Sequence, residues 1–153
     1  MYIRKLLDDE YDEVINLIWQ TVHSVCKNDY SEKELDAWAP MNFDTNKFRS
    51  SLANSLNLAA FKGRKIVGFI SVERSGYINR LYTHKDFQRC GIATSLFEEA
   101  QKWAIENGIR EMSLDSSKTA EKFYIKMGFE KAGVSVMYHG DVIFRNTIMK
   151  KLL

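Results

Sequence analysis

Apolar residues recur every three to four positions along residues 8–26, and this spacing predicts an amphipathic helix. In "DDEYDEVINLIWQTVHSVC" the recurring positions are Tyr11, Val14, Ile15, Ile18, Val22 and Val25. A second, shorter helix is predicted over residues 31–39. There Ser31 and Glu34 have the spacing of a capping box, and Pro40 ends the segment.

The middle of the chain has a strand pattern. The runs "LNLAAF", "KIVGFISVE" and "GYINRLYT" are separated by "KGR" and "RSG", whose glycines suit tight turns, so an antiparallel meander is expected over residues 56–83. Residues 91–109 then predict the strongest helix of the chain. Its apolar face carries Ile92, Leu96, Ala100 and Trp103, and Gly108 lies where a left-handed cap is needed.

The last third of the chain predicts a strand over residues 110–117, a helix over 118–128 and two strands, 129–139 and 142–152, joined by "GD". With an N-terminal strand at residues 2–6, the order is β-α-α-β-β-β-α-β-α-β-β. This order predicts an α+β fold in layers, with a mixed, mostly antiparallel central sheet of about seven strands flanked by about four helices.

Composition and charge narrow the functional classes. The 153 residues, 45% hydrophobic and 27% charged, are typical of one folded domain spanning residues 1–153. A net charge of +2 makes a nucleic-acid partner unlikely. No signal-like or membrane-spanning run occurs, so we expect a cytoplasmic protein with no membrane partner. Cys26 and Cys90 lack CxxC or CxxH neighbours, which predicts neither a disulfide framework nor a metal site.

The hexapeptide "QRCGIA", residues 88–93, connects a predicted strand to the start of the strongest helix. Free backbone N–H groups in a first helical turn, together with the helix dipole, favour phosphate oxygens. Gly91 and Ala93 would let those oxygens approach the backbone. The chain has neither the GxxxxGK[ST] nor the GxGxxG motif, which excludes a nucleotide P-loop and a dinucleotide fold. A plain helix start is the alternative.

Two motifs in order resemble a known family. Gln88-x-x-Gly91-x-Ala93 after an antiparallel strand resembles the Q/R-x-x-G-x-G/A pyrophosphate loop of the GNAT superfamily of acetyl-coenzyme A (acetyl-CoA)-dependent N-acetyltransferases. Downstream, "AEKFYIKMGFEKAG" resembles the "A..FYEK.GF" element of the same family. The segment "YSEKELDAWAP" and the run "GFIS" ahead of the loop look more narrowly like the small, single-domain YafP-like subgroup.

The resemblance implies a binding site for acetyl-CoA as co-substrate. In GNAT folds the fourth strand, here "YINRLYT", splays from the fifth, and its main chain pairs with the pantetheine arm. Ser117 stands where the family often has an asparagine, so it either bonds the pantetheine or caps the following helix. The residues implied in cofactor binding are Leu81, Tyr82, Thr83, Gln88, Arg89, Cys90, Gly91, Ile92, Ala93, Thr94 and Ser117.

The resemblance also implies catalytic roles. Tyr124 matches the family tyrosine beside the acetyl sulfur, where a phenol can protonate the departing thiolate; core packing is the alternative. Members often place a glutamate base on the fourth strand, but the matching positions here are Tyr77 and Asn79. Glu73 and His84 are the substitutes that the sequence offers, and a water relay is the alternative to either.

The amine acceptor is expected near the first two helices. Trp19 and His23 lie on a flank of the first helix, and Tyr30 and Trp38 follow. Such an aromatic wall could stack a flat or cationic acceptor, or could simply seal the helices onto the sheet.

The expected function is therefore acetyl transfer from acetyl-CoA to a primary amine of a small molecule or a peptide. A GNAT-fold module that binds or senses acetyl-CoA with little turnover is one alternative. A toxin-like member that acetylates aminoacyl-tRNA is another. The sequence does not decide between a monomer and a homodimer.

Overall fold

Seven strands and five α-helices make up the protein in a computed structural model that describes residues 1–153. The strands are β1 (Tyr2–Lys5), β2 (Leu56–Lys62), β3 (Lys65–Val72), β4 (Ile78–Thr83), β5 (Glu111–Ser116), β6 (Glu130–His139) and β7 (Val142–Leu152). The helices are α1 (Tyr11–Val25), α2 (Glu32–Trp38), α3 (Thr45–Ser51), α4 (Ile92–Glu106) and α5 (Glu121–Lys126). Three single 3₁₀ turns cover Asp8–Glu10, Cys26–Asn28 and Lys85–Phe87.

The strands form two antiparallel sheets that meet at one narrow junction. One sheet has the order β1-β2-β3-β4 and the other the order β5-β7-β6. They are joined by a single parallel bridge between Tyr77 and Ser113, where the Ser113 N–H donates to the Gly76 carbonyl at 3.1 Å. The predicted α+β class and the seven strands are confirmed.

Helices cover both faces of the strands, so the apolar side chains form two cores. One core packs α4 and α5 against the sheets and includes Leu96, Met112 and Tyr124. The other packs α1, α2 and α3 against the opposite face and includes Phe69 and Phe144. This arrangement brings β4 between the two cores and leaves its end beside the start of α4.

Helix α4 lies unusually close to β3. A Cβ atom added at Gly68 would lie 2.6 Å from the Cγ2 atom of Ile92 and 2.9 Å from the Cδ1 atom of Leu96. The missing side chain therefore lets the first turn of α4 pack directly on the strand, which sets the position of the loop before it.

The helix α3 is absent from the sequence-based expectation. Only Phe48 of its seven residues is buried, so it has no apolar periodicity to detect. Its start is fixed locally, because the Asp44 carboxylate accepts the Lys47 N–H at 3.1 Å. The capping box of α2 is confirmed, with the Glu34 N–H donating to the Ser31 hydroxyl and the Ser31 N–H to the Glu34 carboxylate. None of the helices is both long and apolar enough to cross a bilayer.

Candidate active site

Beyond the bridge at Tyr77, strands β4 and β5 separate and leave one edge of β4 without a strand partner. The pairing with β3 shifts between Ser71↔Arg80 and Val72↔Ile78, which makes Asn79 the extra residue of a β-bulge. Bulges increase local twist, and this one lies where the two strands begin to diverge. The bulge in β4 therefore determines where the gap between β4 and β5 begins.

The hydrogen bonds between β4 and β3 show which backbone groups of β4 face the gap. The His84 N–H donates to the Val67 carbonyl at 2.9 Å, so His84 and Tyr82 turn their backbone groups toward β3. Because these groups alternate along an antiparallel strand, those of Leu81 and Thr83 face the gap.

The Thr83 carbonyl is already engaged within the protein. It accepts the Gln88 side-chain amide at 2.8 Å and the Thr21 hydroxyl at 2.8 Å. The same Gln88 amide lies 3.2 Å from the His84 carbonyl. Gln88 thus anchors the glycine loop to the end of β4, which leaves the Thr83 N–H and both backbone groups of Leu81 facing the gap.

The glycine loop has the geometry of an anion site. Arg89 and Gly91 have φ angles of 57° and 79°, and Gly91 immediately precedes α4. The first hydrogen bond of the helix runs from the Ser95 N–H to the Gly91 carbonyl, so the three N–H groups before Ser95 have no intrahelical acceptor. A Cβ atom added at Gly91 would meet nothing within 4 Å, so the space over these amides is open. Free N–H groups at the start of a helix favour an anion such as a phosphate. Cys90, in the same loop, is exposed.

A cleft of about 550 Å³ opens on the other side of β4, between α2, α3 and the β6–β7 hairpin. One wall is aromatic and includes Tyr30, Trp38, Tyr82 and Phe144. The Trp38 indole N–H donates to the Tyr82 hydroxyl at 3.1 Å, and the Tyr30 and Trp38 rings meet edge to face at 5.3 Å. Burial raises the pKa of Tyr82 to about 12, so its phenol stays neutral.

Two of the four residues expected at the acceptor lie elsewhere. Trp19 and His23 stack on each other at 4.4 Å along α1, and His23 Nε2 donates to the Ala39 carbonyl at 2.7 Å. Neither lines the cleft, whereas Tyr30 and Trp38 do. The rings of α1 therefore seal this helix against the end of α2.

The segment before α5 closes the bottom of the cleft. The Tyr30 hydroxyl accepts the Lys118 N–H at 2.8 Å, and the Ser117 hydroxyl accepts the Ala120 N–H at 3.3 Å. Ser117 also lines the cleft. This bond closes the turn before α5, whose N-cap residue, Ala120, has no side-chain capping bond.

Tyr124 lies buried on α5, with only 6% of its surface exposed. Burial raises the pKa of its phenol, and the nearby phenols of Tyr82 and Tyr77 raise it further. Three tyrosines thus lie near one another where β4 and β5 diverge. The Tyr124 phenol keeps its proton at neutral pH, as a proton donor must.

The structure places a carboxylate in the cleft that the sequence analysis missed. The Tyr77 hydroxyl donates to Asp115 on β5 at 2.6 Å, and burial, followed by this bond, raises the pKa of Tyr77. Along β5 the buried Met112, Leu114 and Ser116 alternate with residues that face the other way, and this alternation turns Asp115 toward the cleft. The alternation along β5 could be predicted from the sequence, but the pairing of Asp115 with Tyr77 depends on the β4–β5 junction.

None of the three catalytic candidates from the sequence, Tyr124, Glu73 and His84, lines this cleft. Glu73 begins the β3–β4 turn, where its N–H donates to the Tyr77 carbonyl at 2.9 Å. His84 is buried and lines a separate pocket of about 320 Å³ with Glu13 and Lys65. Burial and the charge of Lys65 lower the pKa of His84, whose Nδ1 atom accepts the Asp86 N–H at 3.1 Å.

Comparison with known proteins identifies the family. The family model described as acetyltransferase (GNAT) domain matches residues 26–152. No curated protein sequence matches the chain. A crystal structure of a GCN5-related N-acetyltransferase from Rhodopseudomonas palustris is 27% identical, with a TM-score of 0.95 over 99% of this chain and 95% of that one.

Two more distant structures share the fold. The PaiA N-acetyltransferase of Thermoplasma acidophilum, in complex with coenzyme A, is 23% identical, with a TM-score of 0.77 over 99% of this chain and 98% of that one. The ribosomal-protein-alanine N-acetyltransferase of Brucella melitensis is 17% identical, with a TM-score of 0.75 over the full length of both chains. With the family model covering most of its length, the chain belongs to the GNAT family of acetyltransferases.

Proposed function

We propose that the protein transfers the acetyl group of acetyl-CoA to a primary amine of a small molecule or a peptide. The observation that carries the proposal is the unpartnered edge of β4, which leads directly into the open glycine loop at the start of α4. An extended pantetheine arm matches the first feature and a pyrophosphate the second. That a relative of the same fold was crystallised with coenzyme A supports this proposal.

The proposed donor site is mostly main chain. Leu81, Tyr82 and Thr83 run beside the pantetheine, with Ser117 on the opposite side of the gap. The loop amides from Arg89 to Thr94 hold the pyrophosphate, and Gln88 fixes the loop by its bond to the Thr83 carbonyl. Side-chain size matters at Gly91 and Ala93, because larger groups would occupy the space above the amides.

The proposed reaction is a direct transfer within a complex that holds both substrates. The ammonium of the acceptor loses a proton toward the Asp115–Tyr77 pair, and the neutral amine attacks the thioester carbonyl. Backbone N–H groups near the bulge stabilise the oxyanion, a contribution of roughly 2.7 to 4 kcal/mol per donor in other enzymes. The C–N bond forms, and the nitrogen then loses its extra proton to solvent. The C–S bond breaks, and Tyr124 protonates the departing thiolate before recovering a proton from solvent.

Three side chains are candidates for the general base, namely Asp115, Glu73 and His84. Asp115 is favoured because it lines the cleft beside a tyrosine hydroxyl, whereas Glu73 and His84 would need water to reach the amine. If a chain of water molecules carries the proton away from the amine, none of these three side chains is needed as a base. Trp38 and Tyr30 would contact the acceptor, with Trp19 and His23 supporting them from α1.

We also propose the narrower features of this function. Residues 1–153 form a single catalytic domain of the YafP-like subgroup that acts in the cytoplasm without a resident metal. A homodimer is included as an assembly state, which sedimentation velocity at several protein concentrations would test.

The deciding experiment incubates the protein with acetyl-CoA and a panel of primary amines, and measures free thiol and N-acetyl product by mass spectrometry. Amine-dependent product that disappears in a Gly91→Glu variant is the expected result. Acetyl-CoA binding with no product from any amine would favour the sensor alternative. Salt-sensitive retention of tRNA, with acetylated aminoacyl-tRNA as product, would favour the toxin-like alternative.

A further inference from the structure

Arg80 lies on β4 directly after the bulge, and its side chain lines the acceptor cleft. The guanidinium stacks on the Phe48 ring at 4.8 Å, and its Nη1 donates to the Ser51 hydroxyl at 3.1 Å. Both contacts come from α3, so this short helix holds the arginine at the cleft.

The charge of Arg80 has no partner in the protein. None of the six ion pairs of the chain includes it, whereas Arg4, for comparison, contacts the Glu10 carboxylate at 2.7 Å. A guanidinium has five N–H donors, and the chain uses one of those on Arg80. Burial of this group lowers its pKa, as expected for a cation removed from water without a counter-charge. The remaining donors are free to bind an anion.

The guanidinium is also held in one orientation. The Ser51 hydroxyl donates its own proton to the Phe48 carbonyl at 2.6 Å, so it meets Arg80 only as an acceptor. An arginine fixed in this way can present its planar fork to a carboxylate or a phosphate with little further loss of entropy.

Charged residues of both signs line the cleft. Asp115 lies at the β4–β5 junction beside Tyr77, and Arg80 lies three residues further along β4 with Lys47 of α3 on the same cleft. Because Asn79 is the extra residue of the bulge, Tyr77 and Arg80 are about two strand steps apart, or roughly 7 Å at 3.3 Å per step. Asp44, whose carboxylate accepts the Lys47 N–H at the start of α3, and His139 also line the cleft, and burial lowers the pKa of His139.

We propose that the acceptor is a compact amine that also carries an anionic group, either a carboxylate or a phosphate. The anionic group binds Arg80, while the amine lies at the Asp115–Tyr77 pair close to the thioester. The inference rests on the proposed function, since it names the substrate class of that same site.

The test uses matched ligand pairs that differ only in the anion. The carboxylate arm compares α-amino acids with their amides, and the phosphate arm compares O-phosphoethanolamine with ethanolamine. Binding to the CoA-saturated protein is measured by calorimetry, and turnover by release of free thiol. Wild type, Arg80→Gln and an exposed control, Arg145→Gln, are compared, with Arg80→Lys as a variant that keeps the charge but loses the fork.

In the wild type and in Arg145→Gln, the anionic member of one pair should bind more tightly than its neutral partner. Arg80→Gln should weaken that member roughly 10- to 100-fold and leave the neutral one unchanged, in line with hydrogen bonds to charged groups. Arg80→Lys should lie between. The arm that shows the effect distinguishes a carboxylate from a phosphate. Equal acetyl-CoA affinity and thermal stability across the variants would show that the fold is intact.

The inference is overturned if neither arm shows a preference in the wild type, or if the preference survives in Arg80→Gln. Its failure is distinguishable from that of the proposed function. Acetylation of neutral and anionic amines with equal kcat/KM would support the transferase and overturn the inference. Arg80-dependent binding of an anionic amine that is never acetylated would support the inference and overturn the transferase.

Discussion

A glycine in the left-handed conformation flanks helix α4 at each end, and these two glycines offer a matched pair of substitutions. Gly91 at its start has φ 79° and Gly108 after its end has φ 74°, and an added Cβ atom would meet nothing within 4 Å at either position. Alanine in this conformation costs roughly 1 to 2 kcal/mol, partly offset by the stiffer unfolded chain. Gly91→Ala and Gly108→Ala should each lower the stability of the fold by about 1 kcal/mol, or roughly 2 to 4 °C in Tm.

The two variants should differ only in acetyl-CoA binding. The new methyl group of Gly91→Ala would occupy the space over the free amides of α4, whereas that of Gly108→Ala lies at the opposite end of the helix. Loss of one hydrogen bond to a charged phosphate costs about 1.5 to 3 kcal/mol, which is roughly 10- to 150-fold in Kd. Calorimetric titration with acetyl-CoA, beside thermal unfolding, measures both effects. If both variants bind acetyl-CoA as tightly as the wild type, or both lose it equally, the loop does not hold the pyrophosphate.

Three further predictions concern catalysis and packing. Tyr124→Phe should lower kcat roughly 10²-fold with an unchanged Kd for acetyl-CoA. Because its pKa is raised above an ordinary value near 10, the phenol should add no alkaline limb to the kcat profile below about pH 10. Asp115→Asn should lower kcat/KM for the amine roughly 10²-fold in steady-state assays, and an unaffected variant would leave the base to a water relay. Gly68→Ala, whose Cβ would lie 2.6 Å from Ile92, should cost about 1 to 3 kcal/mol in denaturant unfolding; a stability equal to wild type would contradict the close packing of α4.

The elements that the sequence predicts well are those with a strong local signal. Helix α4 has an apolar face and a glycine cap, and the meander has alternating strands with glycine turns, so each could be predicted without knowledge of the rest. Helix α3 has a single buried residue, Phe48, and depends on contacts with α1 and with Arg80 of β4. Its pattern alone could not distinguish it from a polar loop.

The residues of the candidate site could also be predicted only where the signal is local in sequence. The glycine loop was found because its motif is continuous in sequence and its geometry is local. Asp115 and Tyr77 are separated by 38 positions and meet only because β4 and β5 touch at one bridge. Among the aromatic residues, Trp38 and Trp19 look equivalent in sequence, and only the packing of α1 against α2 decides which of them reaches the cleft.

The two sides of β4 present different kinds of groups, and this difference affects how the sequences of such proteins diverge. On the proposed donor side the strand and the loop offer backbone groups, which most substitutions leave in place. On the proposed acceptor side the cleft is formed by side chains such as Trp38, Arg80 and Asp115, which single substitutions replace. Substitutions that change the cleft can therefore leave the backbone groups of β4 and its loop in place. Solved structures with this fold are named for different acceptors, a ribosomal-protein alanine and an aminoglycoside, at 17% and 15% identity to this chain.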